Sequence, residues 1–285
     1  MPVSPWAFHL HPEVLAEVLS LGVAYWAALR LLGPRYVGTG EPAATRGQKW
    51  CFAGGLLGIV AAEGWPLSDI ANHYLYSAHM VQHLLFALAA PPLLLLGTPD
   101  WLARALIKRP GIWPLAKRLT RPIPALIIFN AVLVTTHWPS LLDLTLHNQV
   151  VHMTMHIALF TAALIMWWPV VSPLPELPRI SYPAQMLYLF GQTIIPTVPA
   201  SFLTFASSPL YHFYTTVPRA FGISAVDDTR ISGLIMKLGM GVLLWSIIGV
   251  LFFRWSSKEE RPERPDVLEW QAVERDLNRT ESTNP

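Results

Sequence analysis

Two pairs of histidines have the residue type and the spacing best suited to chemistry in this chain. His79 and His83 are four residues apart, and so are His152 and His156. Residues four apart share one face of a helix, with Cβ atoms about 5–6 Å apart. Each pair can therefore hold one ion or place two sites at different depths. Because imidazole binds copper, zinc, iron and nickel, the spacing predicts a metal site.

Methionines near these histidines indicate which metal is favoured. They lie beside the first pair, within the second pair and one turn apart on a later segment: Met80, Met153, Met155, Met236 and Met240. Thioether sulfur is a soft ligand that selects Cu(I). In a zinc-protease HExxH helix the glutamate base follows the first histidine, but here Met80 and Met153 hold that place. A lone cysteine, Cys51, excludes a Cys-pair site. Copper is therefore favoured.

The chain that positions these residues has the composition of a membrane protein. Its 285 residues are 53% hydrophobic and 13% charged, against about 25% charged in a soluble domain. Seven segments are apolar enough to span a bilayer, at roughly 12–32, 48–64, 74–97, 122–138, 148–170, 182–205 and 229–254. We predict an all-α fold, a polytopic bundle of seven transmembrane helices. The net charge of +2, without a basic stretch, does not suggest nucleic-acid binding.

The distribution of Lys and Arg predicts how the chain is oriented. Cytoplasmic loops retain these residues, and 17 of the 20 fall on one side of the predicted spans. The N-terminus is therefore predicted outside and the C-terminus inside. Within the membrane domain, residues 1–255, the segment 99–121 alternates apolar and basic clusters and predicts helices on the inner leaflet. Residues 256–285 predict a charged cytoplasmic tail, largely disordered, with a short helix near 267–277.

All ten histidines fall on the predicted outer side or in the outer half of a helix. Counted from the helix starts at 1.5 Å per residue, His79 and His152 lie about 6–8 Å into the bilayer, and His83 and His156 about 12–14 Å. The pairs can thus form two facing rungs. Placing an imidazole at this depth in the membrane costs free energy, and such residues tend to be functional. The alternative for each is an interhelical hydrogen bond worth about 0.6 kcal/mol.

Four charged residues in or beside the predicted spans need an explanation. Lys237 falls near the middle of the membrane, and Glu63, near the outer end of the second span, is its candidate partner. Asp227 and Asp228 precede the seventh span, where a carboxylate can cap free backbone N–H groups. The second carboxylate there can lower the cost of a nearby cation.

Three segments together resemble one protein family. The first is SAHMVQHLLFALAAPPLLLLGTP, Ser77–Pro99, with an HMxQH helix followed by a proline pair. The second runs from His137 to Val171 and ends in a Trp-Pro, and the third is DDTRISGLIMK, Asp227–Lys237. These segments are similar to motifs of the CtaG-type cytochrome c oxidase assembly factors of bacteria. The similarity covers most of residues 50–250.

The resemblance implies a seven-helix protein of the bacterial inner membrane that helps to build the copper B centre of a haem-copper oxidase. Its motif positions fall on His79, Met80, His83, His152, His156, Asp227 and Met236. We expect a non-enzymatic factor that accepts copper at its outer face and passes it to oxidase subunit I. The four paired histidines would be the ligands, with Met80, Met236 or Met240 completing a Cu(I) shell. Three further histidines would act as relays at the entrance: His73, His137 and His147.

The expected partners are subunit I, a periplasmic copper chaperone and the lipid bilayer, and the sequence leaves a homodimer open. Two other functions use the same residues. The first is a redox protein that holds haem b between one histidine of each pair, which would show a Soret band. The second is a copper permease, which needs polar ligands that continue toward the cytoplasm, and apart from Cys51 the sequence has few.

Overall fold

The structure, a computed structural model, describes residues 4–38, 40–219, 221–259 and 273–275. Within these residues it is helical and has no strands. Twelve helices of four or more residues follow one another there: α1 Pro12–Tyr36, α2 Arg46–Glu63, α3 Leu67–His73, α4 Tyr76–Gly97, α5 Asp100–Ile107, α6 Ile112–Leu119, α7 Pro122–Thr136, α8 Pro139–His147, α9 Gln149–Val171, α10 Tyr182–Thr204, α11 Phe213–Thr216 and α12 Ala225–Glu259.

Six spans are long and apolar enough to cross a membrane, namely α1, α2 continued by α3, α4, α9, α10 and α12. A seventh is reached if α6 and α7, which are bent by 87°, count as one span. The longer part, α7, has 15 residues and extends about 22 Å. The predicted all-α membrane fold is confirmed, with six or seven spans. Its orientation stays a prediction.

Small residues bring α2 and α4 close together. A Cβ on Gly97 would lie 2.4 Å from the backbone nitrogen of Phe52, and one on Gly55 would lie 2.6 Å from Cγ of Leu94. Neither distance leaves room for a larger side chain. Membrane helices associate through such close packing, because lipid tails are as apolar as the side chains that they replace. The interface fixes α4, which carries the first histidine pair, against α2.

A buried polar chain joins α7, α9 and α10. The amide nitrogen of Asn130 donates to Oε1 of Gln192 at 2.6 Å, and the amide nitrogen of Gln192 donates to the hydroxyl of Tyr188 at 3.1 Å. That hydroxyl donates to the carbonyl of Met166 at 2.8 Å. Interhelical hydrogen bonds of this kind stabilise membrane bundles. They hold α7, and therefore His137 at its end, against α9.

Two helices near the histidines contain a wide π-helical turn. The turns span Leu85–Ala89 in α4 and Ile235–Gly239 in α12. A π turn adds a residue to one turn and changes which side chains face inward, and such turns occur often at functional sites. The two turns lie close together, since a Cβ on Gly239 would lie 2.5 Å from Cδ1 of Leu84.

The segment predicted as interfacial contains the short helices α5 and α6. In α5 the Arg104 guanidinium donates to Oε1 of Glu176 at 2.7 Å, and this hydrogen bond lowers the pKa of Glu176 to about 2. The placement of this segment on the inner leaflet stays a prediction. The tail helix predicted near 267–277 lies outside the described residues except for 273–275.

Candidate metal site

Both histidine-bearing helices begin one turn before their first histidine. His79 is the fourth residue of α4, and His152 is the fourth residue of α9. At the start of α9 the Asn148 side chain accepts from two backbone N–H groups, as an N-cap does. Each first histidine therefore lies at the same place in its helix, while in space His156 lies near both histidines of α4.

The start of α4 is capped by a residue from the far end of the sequence. Asp228, at the start of α12, accepts from the backbone nitrogens of Tyr76 at 2.8 Å and Ser77 at 2.9 Å. These are among the first N–H groups of α4, which have no partner within the helix. Only 1% of Asp228 is exposed. Asp228 is thus the aspartate of the pair that acts as an N-cap, but it caps α4, while Ser224 caps α12.

The pair on α4 is deeply buried. His79 is 1% exposed and His83 is 8% exposed, and their ring centroids lie 4.2 Å apart. Nδ1 of His79 and both ring nitrogens of His83 are buried without a hydrogen-bond partner. Buried polar atoms are nearly always paired, so an unpaired set calls for an explanation such as a bound ion or water.

The pair on α9 is half-buried and has partners. Nε2 of His152 and Nε2 of His156 lie 2.8 Å apart. Nδ1–H of His156 donates to Oε1 of Glu63 at 3.0 Å, and Oε2 of Glu63 accepts from the Gln82 amide at 3.3 Å. A carboxylate behind an imidazole fixes its tautomer, so Nε2 of His156 has the lone pair and accepts from Nε2–H of His152. Two nitrogens on one tetrahedral ion lie about 3.3 Å apart, close to the observed separation.

The two pairs meet. The ring of His156 lies 6.4 Å from that of His79 and 5.7 Å from that of His83, between centroids. His137, at the end of α7, joins them with its ring 5.3 Å from that of His83. In the described part of the chain, however, no group of three or more His, Cys, Asp or Glu side chains has a geometry that could hold a metal ion. A shared centre would therefore need the rings to rotate toward one ion.

His137 is held with one nitrogen free. Its Nδ1–H donates to the carbonyl of Leu133 at 2.7 Å, and its own carbonyl accepts from the hydroxyl of Tyr211 at 3.0 Å. Because Nδ1 carries the proton, Nε2 has the lone pair, and this atom is buried without a partner. His137 thus lies within the cluster, whereas we had expected it to serve as a relay at the entrance.

Three residues of the predicted set lie apart from the cluster. His73 and His147 are exposed, and their Nδ1 atoms contact the backbone carbonyls of Asp69 and Asp143. Asp227 is exposed and pairs with Arg230 at 3.8 Å. The structure gives these three no contact with the paired histidines.

A cavity of about 510 Å³ lies between the N-terminal segment and α3, with His9, Asp69 and His73 in its wall. Asp69 contacts both His9 at 3.4 Å and His11 at 3.3 Å. Burial opposes protonation of His11, but the carboxylates of Glu13 and Asp69 outweigh it and raise the pKa of His11.

Sequence reasoning missed the roles of Glu63 and Gln82. The expected pairing of Glu63 with Lys237 is wrong, because Glu63 contacts His156 and Gln82 while Lys237 lies exposed on α12. One signal was available for each residue. A carboxylate near the end of an apolar span needs an inward partner, and Gln82 directly precedes a histidine of the pair.

Comparison with known proteins agrees with this architecture. Two curated proteins named as uncharacterized, from Mycobacterium bovis and Mycobacterium tuberculosis, are each 24% identical over 205 residues, which is 66% of this chain and 31% of the relative. The chain thus spans about a third of their length. No solved structure matches it. Residues 23–258 match the family described as cytochrome c oxidase caa3 assembly factor. Since this match covers most of the chain, the protein belongs to the cytochrome c oxidase caa3 assembly factor family.

Proposed function

We propose that this protein binds copper at the histidine cluster and delivers it to the copper B site of oxidase subunit I. The observation that carries the proposal is the meeting of five imidazoles from three helical segments, with several buried nitrogens unpartnered. Imidazole is a good copper ligand. The family's role in assembling cytochrome c oxidase supplies the recipient.

The arrangement suits temporary holding of a metal. The ligands would be His79, His83, His152 and His156, with thioethers nearby. Because no three His, Cys, Asp or Glu side chains form a ready site in the described residues, binding has to reorganise the rings. A site that is not preorganised binds less tightly, and a carrier must release its cargo. This role involves ligand exchange only, so the protein acts as a non-enzymatic factor.

An ion fits the geometry better than haem b does. The cavity beside His83 and His137 measures about 20 Å³, whereas cofactor pockets measure about 300–1,000 Å³. A permease is also less well supported, since the side chains that follow His83 along the buried face of α4 are apolar, such as Phe86, Leu88 and Leu95.

Copper analysis of the purified full chain tests the proposal. The protein is loaded with Cu(I) without oxygen, desalted and analysed for copper and for a Soret band. His79→Ala combined with His83→Ala is expected to lower retained copper about tenfold or more, since loss of supporting residues alone costs 10–100-fold. His147→Ala combined with His212→Ala, outside the cluster, is the matched control. Unchanged copper in the first variant would overturn the proposal, and a Soret band would favour haem.

A recipient assay tests delivery. In cells whose oxidase depends on this protein, the His79→Ala and His83→Ala variant is expected to leave subunit I present but deficient in copper B. Normal copper B content in those cells would contradict delivery by this cluster.

A further inference from the structure

A small cavity next to the histidine cluster has an unusual set of walls. It measures about 20 Å³ and is lined by two imidazoles and three thioethers among apolar side chains: His83, His137, Met80, Met236 and Met240. That volume holds about one water-sized particle. The α9 pair does not line it.

The two imidazoles at this cavity have nitrogens available for a ligand. Both nitrogens of His83 and Nε2 of His137 are buried and unpartnered. Their rings meet edge to face with centroids 5.3 Å apart. Two imidazoles that bind one ion through nitrogens at about 2.0–2.1 Å can have centroids at this separation.

The three sulfurs come from two helices that are shaped to present them. Met80 lies on α4, while Met236 and Met240 lie one turn apart on α12, and all three are buried. Met236 falls inside the π turn of α12, directly after which Met240 follows. Gly239 lets this turn approach Leu84 on α4. Methionine is commonly a filler of irregular gaps, but here three of them surround a gap that is left open beside unpaired nitrogens.

We propose that this cavity is a Cu(I) site of its own, distinct from the α9 pair, with its donors drawn from His83, His137, Met80, Met236 and Met240. The inference rests on the proposed copper function and deepens it by naming a second site and its cation. Thioether sulfur selects Cu(I) over harder ions. Every donor is neutral, so a buried monovalent ion costs less desolvation than Cu²⁺ or Zn²⁺ would.

His83 connects the two sites. Its ring lies 5.7 Å from that of His156 and 5.3 Å from that of His137. Copper that arrives at the α9 pair as Cu(I) can pass to the cavity when His83 replaces an α9 imidazole as ligand. The oxidation state does not change, so the step needs neither an oxidant nor a reductant.

X-ray absorption of the purified, Cu(I)-loaded full chain tests the inference. Wild type is expected to show copper–sulfur scattering near about 2.3 Å, as in other metal–sulfur sites. Met80→Leu, Met236→Leu and Met240→Leu together keep the side-chain volumes, and are expected to remove that scattering and weaken Cu(I) binding about tenfold or more in competition with a chromophoric chelator. Met166→Leu, buried outside the cavity, is the matched control and keeps both signals.

The possible outcomes separate the two proposals. If wild type binds Cu(I) through nitrogen alone, the inference is overturned while the proposed function stands. If wild type binds no copper, both fail. His152→Asn combined with His156→Asn is expected to retain the sulfur signal, and its loss there would overturn the separation of the sites. Should the triple variant not fold, Met236→Leu and Met240→Leu are measured singly, each expected to lower the sulfur amplitude.

Discussion

The two histidine pairs have the same spacing and the same place in their helices, but their surroundings differ. The pair on α4 is fully buried, has unpaired nitrogens and lies near thioethers. The pair on α9 is half-buried, and its imidazoles contact each other and a carboxylate. The same spacing thus occurs beside soft thioether ligands on α4 and beside a carboxylate on α9.

The helix that lies opposite each pair makes this difference. α12 supplies Asp228 to the start of α4 and methionines to the cavity beside it. α2 supplies Glu63 to His156. The comparison shows that the metal preference of a histidine pair depends on the side chains around it, since the softness and charge of the ligands decide which ion is favoured.

Removal of the cap on α4 is expected to have the largest effect. Asp228→Ala leaves two buried N–H groups without an acceptor, which we expect to lower the free energy of unfolding by about 2–4 kcal/mol. Asp227→Ala, exposed one residue earlier, should change it by less than about 0.5 kcal/mol. Titration with SDS of both variants measures the difference. Equal stabilities would show that α4 does not depend on α12.

Loss of the carboxylate should affect the α9 pair selectively. Glu63→Gln removes the charged partner of His156, and we expect Zn²⁺, a redox-inert probe for imidazole, to bind about 10–100-fold more weakly. Glu17→Gln is the control, because Glu17 is exposed and interacts with Glu63 and His156 only through space. It should weaken binding less than about fivefold. Calorimetry in detergent measures the Zn²⁺ affinity of both variants. An unchanged affinity in Glu63→Gln would show that the carboxylate does not support metal binding by the α9 pair.

A methyl group on α12 should disturb its close contact with α10. In Gly233→Ala the new Cβ would lie 2.6 Å from the backbone nitrogen of Thr204 and 2.7 Å from the carbonyl oxygen of Ala200. Overpacking costs about 1–3 kcal/mol, partly offset by the better helix propensity of alanine. In Gly241→Ala the new Cβ has nothing within 4 Å. This variant should raise the free energy of unfolding by up to about 1 kcal/mol. SDS titration compares the two, and equal stabilities would contradict the close α10–α12 contact.

The smallest effect is expected outside both pairs. His147→Ala should change the equilibrium Cu(I) affinity less than about twofold, because an exposed side chain away from the site rarely contributes more than about 0.5 kcal/mol. His137→Asn, within the cluster, serves as the contrasting variant and should weaken binding more. Chelator competition measures both. A larger effect from His147→Ala would show that this exposed histidine takes part in equilibrium binding.

Much of the fold follows from local properties of the sequence. Each predicted span agrees with a helix to within five residues at either end, because the length of an apolar run reports what can cross a bilayer. The pairing of His79 with His83, and of His152 with His156, follows from helical periodicity in the same way. The equivalent place of the two pairs along their helices also follows, since each helix begins three residues before its first histidine.

The tertiary structure decided which groups meet across helices. Glu63 lies against His156, 93 positions away, and Asp228 lies against Tyr76, 152 positions away. His137 turns toward His83, and three methionines close one cavity with it. Such contacts depend on how far each helix is rotated and tilted against its neighbours, and packing between helices sets those angles. Hydropathy and spacing report only on one helix at a time, so they predicted candidate ligands but not the side chains that these contact.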